Sequence, residues 1–107
     1  MATPPELSPA QRQAALEKAA EARRHRAAVK EDLRAGTLTL AELFGRAETD
    51  EALAKLKVLS LLESLRGVGK VKARRALDEL GISASRRVRG LGRHQRQGLL
   101  ERFEASR

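Results

Sequence analysis

The stretch Leu65-Arg66-Gly67-Val68-Gly69-Lys70-Val71-Lys72-Ala73 constrains this chain more than any other. An apolar helix end passes through Gly-Val-Gly into a basic segment able to open a new helix. Two glycines let a backbone pass close to an anion, and the first N–H groups of the following helix point at that anion with the positive end of the dipole behind them. Lys70, Lys72, Arg74 and Arg75 fill the helix, so the anion that fits is a nucleic-acid phosphate. The plainer alternative is a glycine-capped helix–helix turn carrying solvated lysines.

Charge distribution favours the phosphate reading. The chain has 22 Lys and Arg against 14 Asp and Glu, a net of +8. Residues 1–65 hold ten basic and ten acidic side chains, whereas residues 66–107 hold twelve basic and four acidic. The whole surplus therefore lies on the segment with the glycine turn, as in a polyanion binder.

The 107 residues suit one domain with a single core. With no cysteine, disulfides, thiol chemistry and thiolate metal sites are excluded. The N-terminal residues do not read as a secretory signal, and no apolar run approaches the ~20 residues of a membrane span. The expectation is a cytoplasmic protein with no membrane partner. The basic region lacks Trp and Tyr, which argues against an interfacial membrane helix. Phe44 and Phe103 are the whole aromatic content. Single-strand binders and base-flipping enzymes supply aromatic faces for stacking, so duplex held by its backbone fits better.

Ser8-Pro9-Ala10-Gln11 predicts a helix start, with Ser8 as N-cap, Pro9 at N1 and Gln11 closing a capping box. Alanine-rich sequence continues to Ala35, and Gly36 is the predicted stop. Such a helix is about 40 Å long at ~1.5 Å per residue. Its apolar residues are mostly alanine, so the first half is expected to project as an arm behind a disordered tip, and the second half to dock. The division is residues 1–35 for tip and long helix and 37–107 for a compact binding core. Arg23-Arg24-His25-Arg26 reads as a solvated face.

Thr39-Leu40-Ala41-Glu42 is a second capping box, for a helix through about Ala47. Thr49-Asp50-Glu51 caps a third helix, predicted as continuous from Ala52 to Leu65 because Leu53, Leu56, Leu59, Leu62 and Leu65 recur at three-residue spacing. Lys55 and Lys57 read chiefly as its solvated edge, with phosphate contact as the alternative. Beyond the glycine turn, Lys70 to Leu80 is a predicted helix burying Val71, Ala73, Ala76, Leu77 and Leu80, closed by Gly81. Ile82 to Gly92 forms a loop anchored by Ile82, Val88 and Leu91. A last helix from about Arg93 to Phe103 buries Leu99, Leu100 and Phe103, with Gly92 as N-cap and Gln95 at N3. No segment alternates as a strand, so the predicted fold is all-α.

Gly67-Val68-Gly69 and Gly90-Leu91-Gly92 are thus similar devices, each preceding a basic helix, and two such clamps can fix the path of a duplex. Arg86, Arg87 and Arg89 lie between them on a loop, where they can enter a minor groove and sense its width. A loop that is basic only for solubility is the alternative.

The stretches Gln13–Arg24, Leu61–Leu65 with Gly67–Val71, and Arg86–Gly92 together resemble the actinobacterial integration host factors, small nucleoid-associated proteins. The resemblance covers nearly the whole chain. It implies a long N-terminal helix on a helix-two-turns-helix core, related in shape to a ribosomal small-subunit protein. It also implies duplex DNA binding around Ser64–Val71 and by a lid around Ile82–His94, with DNA bending, effects on topology, and site-specific recombination. The candidate DNA-binding residues are Ser64, Leu65, Arg66, Gly67, Val68, Gly69, Lys70, Val71, Lys72 and Arg74, then Arg86, Arg87, Arg89, Gly90, Gly92, Arg93 and His94. One departure is Arg66, where the family pattern has proline; it loosens the turn and adds a charge.

An enzyme needs groups that this chain does not supply. Asp78 and Glu79 fall on an amphipathic helix, where pairing with Arg74 or Arg75 is expected. His25 and His94 read as isolated, without partners for a metal or a catalytic triad. The expectation is a monomeric, non-enzymatic architectural protein of the nucleoid. It needs no cofactor or metal, and acts on double-stranded DNA with a recombinase or topoisomerase as a further partner. Because backbone clamps tolerate either duplex, RNA binding in the manner of the ribosomal relative is the alternative.

Overall fold

A computed structural model describes residues 7–104, and the expected disordered tip lies largely outside the described residues. The order is α1 (Pro9–Ala35), α2 (Leu40–Ala47), α3 (Glu51–Ala54), α4 (Val58–Ser64), α5 (Lys70–Glu79), a 3-10 turn (Val88–Gly90) and α6 (Arg93–Glu104). The fold is all-α, and the described residues contain no strand.

Local chemistry sets the helix ends. The Ser8 hydroxyl accepts from the Gln11 N–H at 3.1 Å while the Gln11 side chain accepts from the Ser8 N–H at 2.9 Å. Thr39 and Glu42 repeat this box at α2, at 3.1 and 2.9 Å. Gly36 ends α1 at φ 80°, a left-handed position that L side chains rarely adopt, and its N–H donates into the last turn.

α1 docks by its second half. Val29 and Leu33 are its buried residues, whereas Leu16 is 59% exposed, as expected of an arm. The core is leucine-built: Leu33, Leu40, Leu43, Leu53, Leu61, Leu62, Leu77 and Leu99 are fully buried with Val58 and Val88. Each such side chain contributes roughly 1.5–3 kcal/mol by leaving water. α4 packs against α1 and α5, and α2 packs on α3, α6 and the 3-10 turn.

The predicted continuous helix from Ala52 to Leu65 is two helices. Between them Leu56 and Val58 leave helical pairing for a short antiparallel contact with the loop. The Val58 N–H donates to the Arg86 carbonyl at 2.9 Å, and the Val88 N–H donates to the Leu56 carbonyl at 2.9 Å. Leu56, Val58 and Val88 are all buried there. The three-residue leucine spacing supplies core residues on both sides of the break and so conceals it.

Val71 is a second correction: it is 73% exposed. The buried face of α5 is Ala73, Ala76 and Leu77, with Leu80 half-buried just beyond. At 100° per residue Val71 points almost opposite that face. In α6, Leu99 is buried, but Leu100 and Phe103 are only half-buried against the core. The loop anchors Ile82, Val88 and Leu91 are buried as predicted.

His25 is not isolated. Its Nε2 lies 2.6 Å from Oδ2 of Asp50, tying mid-α1 to the start of α3. The same carboxylate caps α3 by accepting from the Leu53 N–H at 3.3 Å. Partial burial pushes the Asp50 carboxyl up, but the His25 hydrogen bond, with the Leu53 and Ala52 N–H groups and the His25 charge, holds it below its ordinary value. Removing the cap in Asp50→Ala should cost about 1–2 kcal/mol, lowering the melting temperature by several degrees. The lowered pKa stabilises the fold above the ordinary carboxylate value, and this contribution disappears as pH falls through the folded value. Melting curves of wild type and Asp50→Asn should therefore separate near neutral pH and converge in strong acid.

Candidate nucleic-acid interface

α4 ends at Leu65, whose φ of −65° and ψ of 142° turn the chain out of the helix. Gly67 follows at φ 78°, so the turn requires glycine there. Gly69 is different. It is the N-cap of α5 at φ −93°, an ordinary extended conformation, and a Cβ built on it meets no heavy atom within 4 Å. Neither backbone geometry nor internal packing calls for glycine at position 69. The missing side chain faces outward, beside the first turn of α5.

That turn carries Lys70 and Lys72, with Arg74 and Arg75 following, all exposed, and no acidic residue. α5 also has no side-chain cap, unlike α1, α2 and α3. Its leading N–H groups therefore face solvent with the dipole's positive end among cations. Arg74 and Arg75 do not pair with Asp78 or Glu79 as expected; Glu79 instead bonds Arg102 of α6. Among the described residues Lys70, Lys72, Arg74 and Arg75 form no ion pair. Val71 stands exposed in their midst.

The structure divides the predicted residues. Ser64 is buried, with its hydroxyl donating to the Ser60 carbonyl at 3.0 Å, so it serves the helix rather than the surface. Leu65 and Val68 pack on the core, presenting backbone rather than side chain. Arg66, in the proline position, runs across Gly36 at the end of α1 and borders the same recess as Gly67 and Lys72. The second glycine pair is less open than the first: the Gly92 N–H already donates to Gln95 Oε1 at 3.0 Å. Arg93 and His94, exposed in the first turn of α6, remain beside it.

The loop arginines are held rather than loose. Arg86 Nη1 donates to the Gly90 carbonyl at 2.9 Å, and Arg87 Nη1 donates to the Lys55 carbonyl. Each guanidinium keeps further N–H groups for a ligand. Arg89 is exposed and makes no side-chain bond among the described residues. Arg87 does not share a surface with the Gly67–Gly69 turn; it joins Lys55 and Lys57, with Arg26 and Lys30 of α1. The sequence does not disclose this grouping: Arg87 reads there as a groove-entering loop residue and Arg26, Lys55 and Lys57 chiefly as solvated charges, and only the fold brings them together.

Phe44 is buried under the guanidinium of Arg96, 5.2 Å from its ring centroid, and Phe103 packs on the core. Phe44 is thus covered, while Phe103 is half-buried and lines the recess beside Arg66, Gly67 and Lys72. Among the described residues no cluster of His, Asp and Glu could hold a metal, and no helix is long and apolar enough to cross a membrane.

Residues 33–103 match the S13-like H2TH domain. The chain is 54% identical to an integration host factor of Mycolicibacterium smegmatis over 95% of its own length and 97% of that protein's. It is 52% identical to an integration host factor of Streptomyces coelicolor over 96% and 95% of the two lengths. A solved structure of sIHF bound to an 8bp palindromic DNA superposes with a TM-score of 0.79 at 49% identity, covering 81% of this chain and 98% of that one.

The geometry separates the two glycines of the first turn. Gly67→Val should destabilise the protein by roughly 1–3 kcal/mol, because a β-branched residue is strained at φ 78°. Gly69→Val should lower the melting temperature by much less, only by the N-cap preference of glycine over valine. Thermal denaturation of the two variants checks both expectations.

Proposed function

The chain belongs to the actinobacterial integration host factor family and carries an S13-like H2TH domain, and from that premise we propose that it is a non-enzymatic architectural protein binding double-stranded DNA. The observation that carries this reading is the uncapped N-terminus of α5 behind Gly69, a glycine that neither packing nor backbone conformation explains. A phosphate placed there meets free N–H groups, the helix dipole, and the unpaired Lys70, Lys72 and Arg74. The sIHF structure bound to DNA supports duplex DNA as the partner. The lid, with Arg86, Arg87, Arg89, Arg93 and His94, supplies further backbone or minor-groove contacts.

In this reading residues 37–107 form the binding body, residues 1–35 an appended helix, and the working unit is a monomer at the nucleoid. Contacts made chiefly to phosphate give little sequence preference. Holding a duplex at two separated points bends it, and through that bend the protein influences topology and the geometry of site-specific recombination, alongside a recombinase or topoisomerase.

Fluorescence anisotropy with labelled duplexes tests the proposal. Gly69→Val, folded as wild type, should lose about tenfold in affinity, about 1.4 kcal/mol, by blocking close approach of a phosphate. Unchanged affinity would make the turn structural only. Single base-pair changes should matter little in the wild type; losses of ~1–3 kcal/mol per change would indicate major-groove reading and overturn the architectural role. The same titration against an RNA duplex of identical sequence separates DNA from RNA binding, and tighter binding to RNA would favour the ribosomal-type reading.

A further inference from the structure

A recess of about 410 Å3 opens where the glycine turn meets the last helix. Arg66 and Gly67 of the turn, Lys72 and Arg75 of α5, and Arg102 and Phe103 of α6 line it. Its walls are held in place by contacts outside the recess. Glu79 of α5 bonds Arg102 of α6. Gly98 lets α6 press closely on α5, since a Cβ at position 98 would lie only 2.9 Å from Cδ2 of Leu80. Lys72 and Arg75, three residues apart, share one face of α5. Arg66 runs across Gly36, where an added Cβ would lie 3.7 Å from its Nη1.

Four cations converge here and one carboxylate answers them. Glu79 pairs with Arg102, whereas among the described residues Arg66, Lys72 and Arg75 form no ion pair. The Gly67 N–H also has no partner among the described residues, and no side chain covers it. The recess holds in addition the one accessible aromatic ring: Phe103 is half-buried, whereas Phe44 is 3% exposed beneath Arg96. A ring beside clustered positive charge matches a ligand with the same two parts, a planar base and a chain of phosphates. The volume falls within the roughly 300–1,000 Å3 of small-molecule sites. A duplex fits the recess poorly, because its bases are stacked inside it; it can bring phosphate to the rim but no free base to Phe103.

We propose that this recess binds a free nucleoside polyphosphate, its base against Phe103 and its phosphates held by Arg66, Lys72, Arg75 and Arg102. Arg102 keeps further N–H groups for the ligand while bonded to Glu79. Arg66, Gly67 and Lys72 belong both to this recess and to the turn proposed to hold duplex phosphate, so a bound nucleotide competes with DNA. The binding of nucleotide stands apart from the duplex-binding reading above; the competition rests on it.

Titration calorimetry of the full chain without DNA, at constant ionic strength, compares ATP and GTP with adenosine and tripolyphosphate. ATP or GTP should bind about tenfold more tightly than either fragment, because neither fragment supplies both ring and charge. Phe103→Leu keeps an apolar side chain on the core and removes the ring. It should weaken nucleotide binding about tenfold, leave tripolyphosphate binding unchanged, and bind duplex as the wild type does. Arg66→Gln with Arg75→Gln should weaken nucleotide and tripolyphosphate alike. Arg23→Gln with Arg24→Gln, exposed on α1 outside the recess, removes the same net charge and should weaken neither. If Phe103→Leu folds poorly, the wild-type comparison of nucleotide with tripolyphosphate decides the matter. No binding of ATP or GTP, affinity equal to that of tripolyphosphate, full affinity in folded Phe103→Leu, or equal loss in the Arg23 and Arg24 control would overturn the proposal. In anisotropy with labelled duplex, the nucleotide that binds should raise the apparent Kd for DNA more than tripolyphosphate at the same concentration; no such effect would overturn the competition. Failure of the wild type to bind duplex would instead sink the duplex reading and leave the calorimetric result standing.

Discussion

The arrangement depends on a pair of backbone hydrogen bonds. Leu56 and Val58 exchange N–H and carbonyl groups with Arg86 and Val88, joining segments thirty residues apart in an otherwise helical protein. The net value of each bond is only about 1 kcal/mol, yet Leu56, Val58 and Val88 are buried around them, so breaking the pairing exposes apolar surface as well. This contact breaks what would otherwise be one long helix and gives α4 its short length. It also fixes the lid that carries Arg86, Arg87 and Arg89.

Helix capping differs along the chain. α1, α2 and α3 close their N-termini with Ser8, Thr39 and Asp50, whereas α4 and α5 have no side-chain cap and Gln95 takes only the Gly92 N–H ahead of α6. α5 is left open, although a serine or aspartate at position 69 would be an ordinary way to add stability. Supplying a glycine there forgoes a capping contribution and leaves N–H groups for an external acceptor. Local stability has been set below its attainable value at the point where an anion is proposed to bind.

What the sequence reveals is local. Both capping boxes, the Gly36 stop, the anchors Ile82, Val88 and Leu91, and the concentration of charge beyond residue 65 are encoded within a few residues of where they act. What it hides depends on contacts between distant segments. The break after Ala54 has no glycine or proline to mark it, because the cause lies in Arg86–Val88. The partner of His25 is twenty-five positions away. Val71 misleads for a different reason: position 71 is close enough to Ala73 in sequence to suggest a shared face, while the helical period puts it on the opposite side. Gly69 can be noticed in the sequence, but only its ordinary φ and open surroundings show that the fold does not need it.

The shallow docking of α1 has a mechanical consequence. His25 is the first α1 side chain bonded to the body, so the sixteen positions from Pro9 to Arg24 form a rod about 24 Å long, held at one end. Anything that shifts the seat of α1 by a small angle is magnified at its tip: a tilt of about 10° carries Pro9 through about 4 Å, given a rise of ~1.5 Å per residue. The helix is a lever whose short arm lies beside Arg26 and Lys30. Events at the protein's body can thereby be transmitted to a point well clear of it.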